Sequence, residues 1–343
     1  MRAASVGAAC VLALGCSRAP APQQAVGVGG PDFAAVFASV APAVVRVAAG
    51  RREGERFLAS RFGSGFVWSQ DDEVVTNDHL IGDAPEVRVS FEAEVWWPTR
   101  LIGRDATTDV ALLRVDRTGV SGPLPPGQAL SWPRPPPRAE SGSLLPGTWV
   151  AALGNPHEMV RTITVGVVSA TGRRGRFDGT PRYADFIQTD ADLNPGSSGG
   201  PLVDGRGQVV GLSTAVLARS QGISFATPIE QVETVVESLR THGRFVRGFA
   251  GFVVKPVRIG AAAEAGLQRV YGALIQSVVP EGPAARAGLQ AGDVVLKFGE
   301  TKVEDSTLLP WLVAASPPGT VVEVRYARGA TRGVAALTVG GAP

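Results

Sequence analysis

The sequence predicts a mostly β protein made of antiparallel barrels or sandwiches, and three observations carry that prediction. The apolar segments are short and rich in valine. Glycine, at 43 residues, and proline, at 26, punctuate them as turn signals. From Asp32 to about Val216 no strand-like run alternates with a long helical pattern, which argues against a parallel α/β sheet. The 343 residues are 44% hydrophobic and 19% charged, enough apolar material for two domains and a small appendage. A formal net charge of +2, without a dense run of Lys or Arg, excludes a nucleic-acid-binding stripe.

The N-terminus, MRAASVGAACVLALGCSRAPAPQQ, has one arginine, an apolar stretch and then small residues ending at Cys16. That stretch is too short to span a bilayer as a mature helix, so residues 1–15 read as an export signal. The LALGC ending resembles a bacterial lipobox, in which Cys16 becomes the lipidated first residue and anchors the chain to a membrane. Ala13 stands where leucine is usual, so plain cleavage with an incidental Cys16 is the alternative. The other cysteine, Cys10, lies inside the signal, and the mature chain can form no internal disulfide. Residues 16–31, rich in Pro, Gln and Gly, read as a flexible tether.

Nine β-like runs follow: AVVRVAAG, GSGFVW, EVVTNDHL, EVRVSF, VALLRV, TWVAALG, TITVGVVSAT, DFIQTDA and QVVGLSTAV. Between Val120 and Pro146 the prolines remove too many ladder donors for continuous sheet, so a surface excursion is expected there. The first long helical signal is TPIEQVETVVESLRTHG, with Thr227 as N-cap, Pro228 at the first helical position, Glu230 completing a capping box and Gly243 as stop. Its residues Ile229, Val232, Val235, Val236 and Leu239 share one face, which predicts packing. After Arg247 a second unit begins, with strands near GFVV, ALIQSVV, DVVLKF and VVEVRYA. Helices are expected at PAARAG, bounded by Pro283 and Gly288, and at STLLPWLVAA, where Pro310 interrupts early.

The segment NPGSSGGPLV, Asn194 to Val203, sets two adjacent serines in a glycine-rich loop. A serine becomes a nucleophile only with a base to take its proton and donors for the oxyanion it creates. Three histidines are available. His242 ends a helix, where a cation is favoured, and His157 sits in a loop with no orienting carboxylate near it in sequence. His79, in VVTNDHL, stands at a strand end. Thirty residues later Asp109, in RDATTDVALLRV, precedes an apolar strand and therefore needs partners. Accepting a proton from His79 Nδ1 would leave Nε2 to take a hydroxyl proton. The alternative is a turn residue capping its loop through Thr107 or Thr108.

TNDHL, TTDVALLRVD, FIQTDADLNPGSSGGPLVDGRGQVVGLSTAV and GISFATPIEQV together resemble the HtrA (Deg) serine proteases, and RGFAGF with PEGPAARAGLQAGDVVLKFGETKV resembles the PDZ domain of that family. The resemblance spans about Asp32 to Val339. It implies a chymotrypsin-like double six-stranded β-barrel over 32–242, followed by a small α+β PDZ domain over 243–340. It further implies His79 as general base and acid, Asp109 as its orienter, Ser198 as nucleophile, and an oxyanion hole in Gly196, Ser197 and Ser198. Ser197 stands where the family commonly has asparagine.

For the S1 pocket, Asp192 lies six residues before Ser198, the trypsin spacing for a carboxylate that binds basic P1 side chains. Alternatively Asp192 turns outward, and Leu193 with Ser213 of the strand GLSTAV forms a shallow apolar pocket. In the PDZ domain, Phe249, Ala250, Gly251 and Phe252 match the loop that receives a C-terminal carboxylate. The resemblance also implies a homotrimer, to which Phe33 and Phe37 would contribute, in the bacterial periplasm. Its substrates would be unfolded or regulatory proteins. A catalytically silent chaperone or scaffold of the same fold is the alternative. No metal cluster, phosphate loop or cofactor motif is present.

Overall fold

The computed structural model describes residues 30–92, 95–119, 132–155, 161–174, 185–216 and 222–342. The export signal, Cys16, nearly all of the 16–31 tether, His157 and part of the proline-rich excursion fall outside the described residues. The first element is a helix that valine spacing did not announce. Asp32 accepts from the amides of Ala34 and Ala35, at 3.1 and 3.0 Å, and so caps α1 (Phe33–Val40).

Six strands follow: β1 (Val44–Glu53), β2 (Arg56–Val67), β3 (Glu73–Thr76), β4 (Glu86–Glu92), β5 (Val95–Asp105) and β6 (Val110–Val115), with the one-turn helix α2 (Asp78–Ile81) after β3. They close into an antiparallel barrel in the order β1-β2-β3-β6-β5-β4. A second closed barrel is formed by β7 (Trp149–Gly154), β8 (Thr162–Arg173), β9 (Phe186–Thr189), β10 (Pro201–Asp204), β11 (Val209–Val216) and β12 (Ser224–Pro228), in the order β10-β11-β12-β9-β8-β7.

Period-two alternation sorts the side chains of each strand between two cores. Val74 and Leu113 face the interior of the first barrel with Val45, Val47 and Val89, while their neighbours Val75 and Leu112 face the seam with Phe66, Leu153 and Leu212. The seam is closed by α3 (Ile229–His242), whose Ile229, Val232, Val235, Val236 and Leu239 are buried, the face expected from the sequence. Gly243 ends it in the left-handed conformation, φ 71°. The expected capping box is not made, because Thr227 belongs to β12 and shares its hydroxyl with Thr214 at 3.0 Å. Glu230 instead receives the amide and hydroxyl of Ser141. Near the end of α3, Arg240 bonds the fully buried Glu73 of β3, which also takes Arg114 and Ser69.

The last unit contains β13 (Gly248–Phe249), β14 (Phe252–Pro256), α4 (Ile259–Glu264), β15 (Ala273–Val278), α5 (Pro283–Arg286), β16 (Val294–Phe298), β17 (Thr301–Lys302), α6 (Leu308–Ala315), β18 (Val321–Arg328), β19 (Thr331–Thr338) and β20 (Gly340–Gly341). Its main sheet runs β14-β15-β16-β18-β19, so β14 is an edge strand. Ile275, Val295, Leu309, Val324 and Leu337 form its core. Pro310 falls in the first turn of α6, where its missing amide costs nothing because those amides have no partner within the helix.

Candidate active site

The ends of β3 and β5 bring His79 and Asp109 together. His79 is the second residue of α2, and Asp109 closes the turn between β5 and β6 with φ 59°, an uncommon backbone for a residue other than glycine. The Asp109 carboxylate holds the histidine twice: Oδ1 accepts the His79 backbone amide at 2.9 Å, and Oδ2 lies 2.8 Å from Nδ1. Asn77 donates its side-chain amide to the Asp109 carbonyl at 2.9 Å. The turn-capping role belongs to Asp105, whose Oδ2 accepts both the amide and the hydroxyl of Thr108. Asp109 is therefore left to His79.

Asp109 is buried, whereas the His79 side chain is 49% exposed. Burial pushes the imidazole pKa down, but the hydrogen bond to Asp109 and the charges of Asp109 and Asp78 outweigh it, so His79 titrates above its ordinary value. With Nδ1 donating to the carboxylate, Nε2 carries the lone pair.

The Asn194–Ser197 segment has the form of a type II turn. Pro195 and Gly196 are its central pair, Gly196 has φ 101°, and the Ser197 amide bonds the Asn194 carbonyl at 2.8 Å. Ser197 thus corrects one expectation, since its amide is already engaged and cannot serve an oxyanion. Among the described residues the amides of Gly196 and Ser198 donate to no acceptor, and they remain for that role. Gly199 is required by close approach, because a Cβ there would lie 2.0 Å from the Ser64 carbonyl.

Ser64, between the two glycines of GSGFV, was not singled out by sequence reasoning, yet it ties the loop down. Its hydroxyl donates to the Gly196 carbonyl at 2.6 Å and accepts the Asn155 amide at 2.8 Å. Its backbone amide bonds the Ser198 carbonyl at 2.8 Å, and its carbonyl accepts Thr76 Oγ1 at 2.7 Å. The only sequence signal was the pair of glycines flanking it. Ser198 is partly exposed, and its Oγ makes no hydrogen bond with His79 in this conformer. Such contacts commonly tighten only when substrate is bound.

Of the expected S1 residues, Asp192 is exposed and its carbonyl accepts Thr164 Oγ1 at 2.7 Å. Leu193 packs in the second barrel's core beside Leu202 and Val210. Ser213 is fully buried, and its backbone exchanges hydrogen bonds with the nucleophile loop, receiving the Gly199 amide at 2.8 Å and giving its own to Gly200. In the PDZ-like unit Ala250 is buried, Phe249 and Phe252 are partly buried, and Gly251 has φ 75°. The amides of Ala250 and Gly251 donate to nothing among the described residues, while their carbonyls hold Ala284 and Val279. His242 is exposed at the end of α3, away from these groups in sequence and element.

Two antiparallel barrels with a His–Asp pair and a glycine-rich serine turn define a trypsin-like serine peptidase fold, here followed by a PDZ-like unit. Residues 63–212 match the trypsin-like peptidase domain family, and residues 243–339 match the PDZ domain family. A probable periplasmic serine endoprotease DegP-like from Ectopseudomonas mendocina is 37% identical over 316 residues, covering 91% of this chain and 62% of the relative. Its counterpart from Halomonas elongata is 34% identical, covering 94% and 73%. Among solved structures, the HtrA-type protease AlgW with tripeptide aligns at TM-score 0.74 and 32% identity, covering 91% of this chain and 98% of that one. The chain belongs to the HtrA family of serine proteases. It spans less than two thirds of the length of the Ectopseudomonas relative.

Proposed function

We propose that the chain is a serine endopeptidase of HtrA type, with a protease domain over 32–242 and a PDZ domain over 243–340. The observation that carries this reading is the two-point hold of Asp109 on His79. In the proposed reaction His79 Nε2 takes the Ser198 hydroxyl proton as Oγ attacks the scissile carbonyl. The amides of Gly196 and Ser198 receive the oxyanion, and the imidazolium, stabilised by Asp109, gives its proton to the leaving amine. Water then repeats the sequence on the acyl-enzyme, releasing the acid and restoring Ser198.

Substrates in this reading are unfolded or regulatory envelope proteins. Their exposed C-termini would add as a strand to the β14 edge, the carboxylate meeting the unengaged amides of Ala250 and Gly251. The names of the relatives support export to the periplasm, where a lipid on Cys16 would hold the chain at a membrane. Homotrimer formation is supported by an apolar surface in which Phe33 meets Trp149 edge-on at 6.2 Å, while Trp149 and Leu145 are 48% and 69% exposed. The experiment is hydrolysis of an unfolded protein, with and without C-terminal peptides, by wild type and Ser198→Ala, together with fluorophosphonate labelling. Labelling and turnover lost in Ser198→Ala support the reading. A folded wild type that neither labels nor cleaves would make it a silent scaffold.

A further inference from the structure

Arg247 lies between α3 and β13, in the segment that joins the barrels to the PDZ-like unit. Its NH2 group contacts both carboxylate oxygens of Asp105, at 2.6 Å each. The side chains are only 20% and 8% exposed, so the Asp105 charge is withdrawn from water and depends on its partner. Asp105 ends β5, and the oxygen that Arg247 contacts also takes the amide of Thr108 at 2.9 Å and its hydroxyl at 2.6 Å.

Thr108 is the residue before Asp109, whose φ of 59° is a conformation that persists only where the surroundings over-determine it. Three ties do so. Asn77 holds the Asp109 carbonyl and the His79 amide holds Oδ1, both from the first barrel. The third tie, Thr108 to Asp105, is anchored from outside the barrel by Arg247. Arg247 is itself seated on the Phe245 ring, 4.9 Å from its centroid, and Phe245 stacks on Trp311 of α6 at 6.1 Å and 29°.

We infer that Arg247 is a positioning residue for Asp109: its grip on Asp105 fixes the Asp105–Asp109 turn and so aims the Asp109 carboxylate at His79. The inference rests on the reading of His79, Asp109 and Ser198 given under Proposed function. It makes the interdomain segment part of the support of the active site. A lysine could supply the charge at Asp105 but not the planar guanidinium, which can also lie flat on the Phe245 ring.

The test compares full-length wild type with Arg247→Gln, Arg247→Lys, Asp105→Asn and the Arg247→Gln/Asp105→Asn double variant. Peptide hydrolysis is normalised to the folded fraction seen by circular dichroism. Arg247→Gln is expected to lower kcat by about 10- to 100-fold with KM little changed, since a displacement of about 1 Å in catalytic geometry costs on that order. Arg247→Lys is expected to recover part of the loss, and the double variant to be no worse than the worse single one. The far-downfield proton resonance of the His79–Asp109 hydrogen bond is expected to weaken in step. If Arg247→Gln fails to fold, Asp105→Asn removes the same tie and carries the same expectation. Full kcat per folded molecule with an unchanged resonance would overturn the inference. Ser198→Ala separates the two levels, since full activity in that variant sinks the triad reading itself, whereas its inactivity beside an unaffected Arg247→Gln sinks only this inference.

Discussion

Asp109 holds His79 by two separate atoms, Oδ1 on the backbone amide at 2.9 Å and Oδ2 on the ring at 2.8 Å, so one carboxylate sets both the position and the tautomer of the imidazole. In Asp109→Asn a carboxamide can accept at only one of those atoms, and its N–H facing Nδ1 would turn the ring to the wrong tautomer. That variant is expected to fold and to lose about 10⁴-fold in kcat, measured by peptide hydrolysis at neutral pH.

The base works only when neutral, and its pKa is raised, so activity falls on acidification from a midpoint above the ordinary histidine value of about 6.5. The groups that act on the ring are Asp109 and Asp78, which raise its pKa, and Arg61, which lowers it. Asp78→Asn removes one of the two negative charges, so the acid limb of kcat/KM against pH is expected to move to lower pH. An unmoved limb would remove Asp78 from the electrostatics of the base.

Gly196→Ala places a Cβ at φ 101° and turns an oxyanion donor away, with an expected loss of about 100- to 1,000-fold in kcat. Ser197→Ala leaves the Ser197 amide bond to Asn194 in place, and activity is expected to stay near wild type. A loss in Ser197→Ala as severe as that in Ser198→Ala would reverse the assignment of the two serines.

Asp192 is exposed and Leu193 is packed in the second barrel, an arrangement that favours a shallow apolar S1. A P1-scanned peptide library is expected to give cleavage after Val, Ala or Leu. Cleavage after Lys or Arg that disappears in Asp192→Ala would assign the carboxylate to the pocket.

Arg240→Ala strips the buried Glu73 of its closest cation and leaves it with Arg114 and Ser69. The expected cost is about 2 kcal/mol, read as a lower Tm. Burial alone would raise the Glu73 pKa, but Arg240, Ser69 and Arg114 together hold it below the ordinary carboxylate range. Its contribution is therefore complete above about pH 4.3 and is lost as pH falls through the lower, folded value.

Much of this was legible from pattern. Valine alternation and turn residues marked nine runs, and all nine became strands. β5 escaped because Pro98, Gly103 and two arginines break its alternation, and a register shift between Leu101 and Gly103 bends it against β6. β10 and β12 are only four and five residues long and are paired on both sides, so they alternate too briefly to show. α1 is held by its Asp32 cap and by packing of Val36 and Val40 rather than by length. In the site, His79, Asp109 and the glycine loop were visible because their chemistry demands particular residue types. Ser64 and Arg247 were not, since their roles come from partners more than a hundred residues away.

Ser64 belongs to the first barrel, and Gly196 and Asn155 to the second, so a single hydroxyl spans the junction at the point where the oxyanion turn is shaped. A chain whose halves have folded separately but not yet docked therefore lacks a formed oxyanion site. On the proposed reading, competence to cut becomes a readout of completed assembly, because a half-docked copy lacks the turn that receives the oxyanion.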